Sequence, residues 1–263
     1  MPPMAETGIA ALRRTVRHLR RGRPAAPKWR IAGSGTGRVP WMPYPVFDEP
    51  VGVIAPNPVT DDKLTTGEIT RGQTTDGSRA MVLGFAFVIA KVARCVNTLS
   101  VLDFGGGLGG YYRIARNAVP DLKITYTVQE LPDLCAIGRQ ARPDVRFVSS
   151  SADLERSYDL VVASSSLQYA EDWCGQFADL ARHASPWLFV TRVMIFEDET
   201  RLLAERVPSG EATVWAFGRS EFLAVGASAG LCLVDEFAFQ DSFDDIEGTS
   251  EKPTIRGFLF RRA

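Results

Sequence analysis

Asp103 closes a short apolar run, and five glycines follow it within Gly105–Gly110, interrupted only by Leu108. Glycine is needed where the backbone takes positive φ or comes very close to a ligand. A helical pattern then runs from about Leu108 to Ala118, and Pro120 stops it. A helix that starts straight after such a turn aims unpaired N–H groups into the space above it. Strand, glycine turn and helix in this order predict a nucleotide-type cofactor site.

Three features bear on which cofactor it is. Gly105, Gly107 and Gly110 satisfy G-x-G-x-x-G, the dinucleotide fingerprint, which alone is a weak match. Asp103, two residues before the first glycine, opposes a pyrophosphate by charge. It suits a ligand with a positive group, such as S-adenosylmethionine (SAM), which has an ammonium, a sulfonium and no phosphate. Glu130 stands at the end of the next strand, where an acid accepts hydrogen bonds from both ribose hydroxyls. That acid fits SAM or NAD alike. The Tyr-x-x-x-Lys pair of the common sugar-modifying NAD enzymes is missing. An NAD-dependent oxidoreductase or epimerase, or a non-catalytic SAM-binding partner module, remains the alternative to a methyl-transferring enzyme.

The elements that position these residues follow from periodicity. Apolar strands are expected at Leu99–Phe104, Lys123–Val128, Val145–Ser149, Asp159–Ala163 and Trp187–Val193. Helices are expected after Gly77-Ser78 with Ser78 as N-cap, after Pro132, over about Glu171–His183 and over about Ser220–Ala229. The first of these is apolar nearly all round, so burial against a sheet is expected. Strand–helix alternation predicts a parallel sheet with crossover helices. Leu231–Phe239 and Ile255–Phe260 are joined by a stretch without helical pattern and are expected to pair antiparallel.

The stretch VLDFGGGLGG resembles motif I of class I SAM-dependent methyltransferases. With VQELPDLCAIGR, ASSSLQYAEDW, FVTRV and RGFLFRR it is similar, over roughly residues 75–262, to a bacterial family labelled as methyltransferases and often encoded near polysaccharide-biosynthesis genes. The resemblance implies an α/β fold: a Rossmann-like, seven-stranded, mostly parallel sheet with an antiparallel C-terminal hairpin and helices on both faces. It also implies SAM as cofactor, with S-adenosylhomocysteine (SAH) as product. Asp103, Phe104, Gly105, Gly107 and Gly109 then form the cofactor loop, and Glu130 with Leu131 takes the ribose. Ser151 falls within Ser150–Asp153, where the adenine contact is expected.

In open α/β sheets the ligand sits outside the carboxyl ends of the strands. Ser164 and Ser165 follow the fourth strand and let the chain pass close to the cofactor. Tyr169 either shapes the acceptor site or packs the next helix. Arg192, in the fifth strand, either binds an acidic or phosphorylated acceptor or pairs with a structural carboxylate. Tyr169 and Arg192 are the catalytic candidates. Methyl transfer mainly requires alignment and exclusion of water. The acidic stretch Asp241–Glu251 lines the mouth of the site or is a solvated loop. His183 reads as a helix-end residue.

Length and composition bound the rest. The 263 residues allow one large domain or one domain with an appendage, and the formal net charge of −1 argues against nucleic acid as a partner. A small-molecule or sugar-containing acceptor is expected. Four scattered cysteines without a CxxC pair read as reduced thiols of a cytoplasmic protein, and a count of two histidines argues against a His-based metal site. No signal-peptide pattern is evident. Residues 1–45 are expected as a basic, partly flexible arm, with weak contact to an anionic membrane surface as its functional reading. Residues 46–76 are expected as a loop-rich lid or wrapping segment, and residues 77–263 as the cofactor-binding domain. Oligomeric state is left open.

Overall fold

Apolar side chains at alternate strand positions need cover on both faces of a sheet, and five helices supply it. The structure is a computed structural model and describes residues 29–34, 76–207, 210–239 and 245–263. In chain order the elements are β1 (Trp29–Ser34), α1 (Asp76–Ala93), β2 (Thr98–Phe104), α2 (Gly110–Ala118), β3 (Lys123–Gln129), α3 (Pro132–Ala141), β4 (Arg146–Val148), β5 (Tyr158–Ser164), α4 (Trp173–His183), β6 (Ala184–Phe196), β7 (Arg201–Val207), β8 (Gly210–Gly218), α5 (Arg219–Ser228), β9 (Leu231–Phe239), β10 (Ile246–Glu247) and β11 (Thr254–Arg262). Short 3₁₀ turns lie at Ser151–Asp153 and Leu167–Tyr169.

The main sheet runs β4-β3-β2-β5-β6-β11-β9. β4, β3, β2, β5 and β6 are parallel, and β11 is antiparallel to both β6 and β9. The expected sheet and C-terminal hairpin are therefore present. The expected strand count needs correction: one hydrogen-bonded network holds eleven strands among the described residues. β6 has thirteen residues and outruns the seven of β5. Its last two residues, Ile195 and Phe196, pair with Phe217 and Gly218 of β8. From there β8, β7, β1 and β10 form a second sheet with its own core of Trp29, Met194, Phe196, Leu203, Val214, Ala216 and Ile246.

Residues 29–34 thus form a strand within a segment read from sequence as arm and loop. The remainder of residues 1–45, nearly all of the expected lid and the acids Asp241 and Asp244 lie outside the described residues.

The strands divide their side chains by parity. Leu99 and Val101 of β2 and Leu160 and Val162 of β5 meet α1, α2 and α3. Leu102, Val161 and Ala163 meet α4 and α5 on the other face. α1 begins at Asp76, so Ser78 lies inside the helix rather than capping it. α1 also is not buried all round: Phe85, Val88, Ile89 and Val92 are buried, whereas Leu83 and Phe87 are 59% and 52% exposed. Only one stripe of a helix can face a sheet, whatever its overall hydropathy.

Candidate functional site

The glycine turn after β2 holds Gly105, Gly107 and Gly109 at φ of +66°, +55° and +74°. A Cβ on Gly105 would stand 2.5 Å from Ser166 Cβ, and one on Gly106 would stand 2.5 Å from Asp103 Cγ. The loop therefore lies directly on these two side chains. A Cβ on Gly107 would meet nothing within 4 Å, so open space adjoins the loop there. Three loop N–H groups are already paired within the protein. Gly105 donates to Gln129 O (2.9 Å), Gly107 to Glu130 Oε2 (3.0 Å) and Gly109 to Gly106 O (3.0 Å).

Asp103 is fully buried. Tyr126 donates its hydroxyl to Asp103 Oδ2 at 2.9 Å, and Oδ1 has no hydrogen-bond partner. Burial pushes the Asp103 carboxyl up to about 7, the Tyr126 bond opposes this, and the Glu130 charge adds to it. Asp103 was expected to face the ligand. It instead lies buried beneath Gly106. The Tyr126 hydroxyl is raised well above its usual range, chiefly by burial and then by Asp103.

A cleft of about 510 Å³ opens at the carboxyl ends of β2, β3 and β5. This is within the size range of small-molecule sites. Phe104, Gly105, Glu130, Leu131, Ser165 and Tyr169 are among its lining residues. Glu130 Oε1 accepts from Leu131 N at 2.8 Å, so backbone N–H groups fix both carboxylate oxygens. Each oxygen keeps a lone pair for a ligand hydroxyl. Ser151 is not among the lining residues. Its Oγ accepts from the side chain of Gln129, which does line the cleft.

Just after β5, and within β6 at the level where β5 ends, two residues with side chains adopt left-handed backbone, Ser165 at φ +56° and Arg192 at φ +58°. Such residues cost of order 1–3 kcal/mol each and persist only where neighbours fix them. Gln168, buried, supplies that fixing: its Nε2 donates to Ser165 Oγ at 3.2 Å and to Arg192 O at 3.5 Å. Ser165 N also donates to Thr191 O at 2.9 Å. Ser164 Oγ and the Tyr111 hydroxyl lie 2.7 Å apart, and Ser166 Oγ donates to Phe104 O at 2.8 Å. Arg192 is exposed and close enough to the Tyr111 hydroxyl to favour its ionised form, against the upward push of burial.

Tyr169 donates to Glu205 Oε2 of β7 at 3.3 Å, and Trp215 of β8 donates to Ala170 O at 3.0 Å. The second sheet thus holds the turn after β5. Tyr111, Gln168 and Glu205 had no local sequence signal. His183 sits at the end of α4, its Nδ1 3.0 Å from Glu155 O. Asp245, Glu247 and Glu251 pair with Lys252, Arg206 and Arg201 at 2.8, 3.2 and 2.8 Å. All four cysteines are unpaired. Among the described residues no His, Cys, Asp and Glu group that could hold a metal is present, and no helix is long and apolar enough to cross a membrane.

No protein-family model matches the chain, and no curated protein matches it. Solved structures do. Magnesium protoporphyrin IX methyltransferase from Synechocystis PCC 6803, with bound SAH, superposes with a TM-score of 0.51 at 13% identity, covering 78% of this chain and 98% of its own. A candidate sarcosine dimethylglycine methyltransferase from Galdieria sulphuraria gives 0.52 at 14% identity, covering 71% and 86%. With the strand order and the glycine turn after β2, these likenesses establish that the chain has the fold of the class I SAM-dependent methyltransferases.

Proposed function

We propose that the protein is a SAM-dependent methyltransferase that acts on a small-molecule or sugar-containing acceptor. One observation carries this reading: two carboxylates, Asp103 and Glu130, flank a glycine loop whose Gly105, Gly107 and Gly109 N–H groups are all used internally. A pyrophosphate would find like charge there and those three N–H groups already taken. A cation finds attraction from both acids once Asp103 is ionised, and Asp103 Oδ1 is buried without a hydrogen-bond partner. The site therefore fits SAM better than a dinucleotide, and the oxidoreductase alternative is not retained.

SAM, when bound, supplies a methyl group already activated on a sulfonium. The chain's own residues bind, orient and exclude water. Glu130 accepts hydroxyl hydrogen bonds, held in place by Gly107 and Leu131. Asp103 favours positive charge above it. Tyr169 and the turn after β5, held by β7 and β8, close the acceptor side of the cleft.

Calorimetry with SAM, SAH and NAD tests the reading. Micromolar binding of SAM and SAH without NAD binding is expected. Absence of SAH binding at high micromolar concentration overturns it. Labelled SAM and pooled hydroxyl and amine acceptors then test transfer itself.

A further inference from the structure

The pairing of β6 with β11 slips by one residue at Arg192: Arg256 faces Val193, Gly257 faces Thr191, and Arg192 is the extra residue. A bulge re-aims a side chain. Here the extra residue takes φ +58°, which L residues adopt only at a cost, and Gln168 ties it to the equally left-handed Ser165. The result is an exposed guanidinium at the carboxyl end of the sheet.

Beside it stands the Tyr111 hydroxyl, which feels the Asp103 charge as well as that of Arg192. Tyr111 is buried and stacks on Phe85 with ring centroids 4.4 Å apart, which fixes its hydroxyl beside Ser164 Oγ. Arg201, Arg206, Arg219 and Arg256 on nearby elements all pair with carboxylates. Arg192 has no carboxylate partner among the described residues.

Position sets the Arg192 strand apart from the acids of the cofactor cradle, while Tyr111 belongs to the helix that follows the glycine loop. β6 stands two strands from β2 and three from β3. At about 4.8 Å per strand, that is roughly 10 Å from the strand of Asp103 and roughly 14 Å from that of Glu130. The cradle carries the acids, and the β6 end, where the second sheet begins, carries the cation. Resting on the methyltransferase reading above, we propose that Arg192, with the Tyr111 and Ser164 hydroxyls, binds an anionic group of the methyl acceptor, a carboxylate or a phosphate.

The full chain loaded with SAH is titrated with inorganic phosphate, and separately with acetate, at ionic strength held constant with chloride, while Tm is followed. A saturable rise is expected for wild type. A larger response to phosphate assigns a phosphorylated acceptor, and a larger response to acetate assigns a carboxylic acid. Arg192→Gly should raise the half-saturating concentration at least tenfold. Its own Tm without added anion should equal or exceed that of wild type, because glycine accepts the left-handed backbone. Arg192→Lys keeps the charge without the fork and should fall between them. No anion response in wild type, or an equal one in Arg192→Gly, overturns the proposal. So does a tenfold loss of SAH affinity in Arg192→Gly, which would place the anion on the cofactor. Failure of wild type to bind SAH would instead overturn the methyltransferase reading.

Discussion

The Gly107 N–H donates to Glu130 Oε2 at 3.0 Å, so the acid at the end of β3 fixes the glycine turn after β2. Glu130 also accepts from Leu131 N at 2.8 Å. The same carboxylate therefore shapes the loop and offers its remaining lone pairs to a ligand. Hydrogen bonds to charged groups are worth ~1.5–3 kcal/mol each. Glu130→Ala removes both intramolecular bonds and any bond to the cofactor. SAH affinity should fall by at least about tenfold in calorimetry. Glu130→Gln keeps one acceptor oxygen and should lose less. An unchanged affinity in Glu130→Ala would remove this residue from the cofactor site.

Asp103 makes stability and affinity depend on pH in opposite ways. Its carboxyl is raised from 3.8 to about 7, mainly by burial. A raised acid binds its proton more tightly in the folded chain. The stability it contributes is fully present below its unfolded value and is lost as pH rises through 7. At pH 8 the buried charge costs on the order of 4 kcal/mol in the ligand-free protein. Asp103→Asn should therefore raise the ligand-free Tm at pH 8 and raise it far less near pH 4.5. A bound cation favours the ionised form, so wild-type SAM affinity should rise from pH 6 to pH 8 by up to about tenfold per unit below 7. The variant should lose that dependence and most of its affinity. Differential scanning fluorimetry and calorimetry at three pH values decide both.

Tyr169 and Glu205 link the turn after β5 to the second sheet. The Tyr169 hydroxyl donates to a carboxylate only 5% exposed, at 3.3 Å. Tyr169→Phe leaves that acid one donor short and should cost ~1–2 kcal/mol in denaturant unfolding. A double-mutant cycle with Glu205→Gln should give a coupling of about 1 kcal/mol. Zero coupling would mean that the second sheet does not hold the cleft tyrosine.

The glycine loop, Asp103, Glu130 and the C-terminal hairpin were legible because each is written in a few consecutive residues. What escaped depends on long-range pairing. β1 meets β7 by setting Trp29 opposite Glu205, and no local pattern carries that register. The acceptor side of the cleft was hidden with it, since Glu205 and Trp215 reach the site only once the second sheet forms. Asp103 was found, but its burial was not, because nothing in sequence shows a loop folding back over a strand end. Tyr126 offered a usable signal. The register pairs Asp103 with Val128 and Val101 with Tyr126, which puts the tyrosine on the same face one ladder step back.

Gly105 and Gly107 share a positive φ but differ in what surrounds them, and alanine separates the two roles. At Gly105 a methyl group would stand 2.5 Å from Ser166 Cβ, and Ser166 is held by its bond to Phe104 O. Gly105→Ala adds that clash to the left-handed penalty of ~1–2 kcal/mol. It should unfold well below wild type in a thermal scan. At Gly107 the methyl group would meet nothing within 4 Å, so only the backbone penalty applies. Gly107→Ala should fold, with a loss of ~1–2 kcal/mol by denaturant titration. The open space beside Gly107 adjoins the loop that Glu130 fixes, and a ligand cradled by that loop would occupy it. SAH affinity of the folded Gly107→Ala protein should therefore drop by at least about tenfold, equivalent to ~1.4 kcal/mol. A variant that keeps both its fold and its SAH affinity would show that the space is solvent and that the cofactor lies elsewhere.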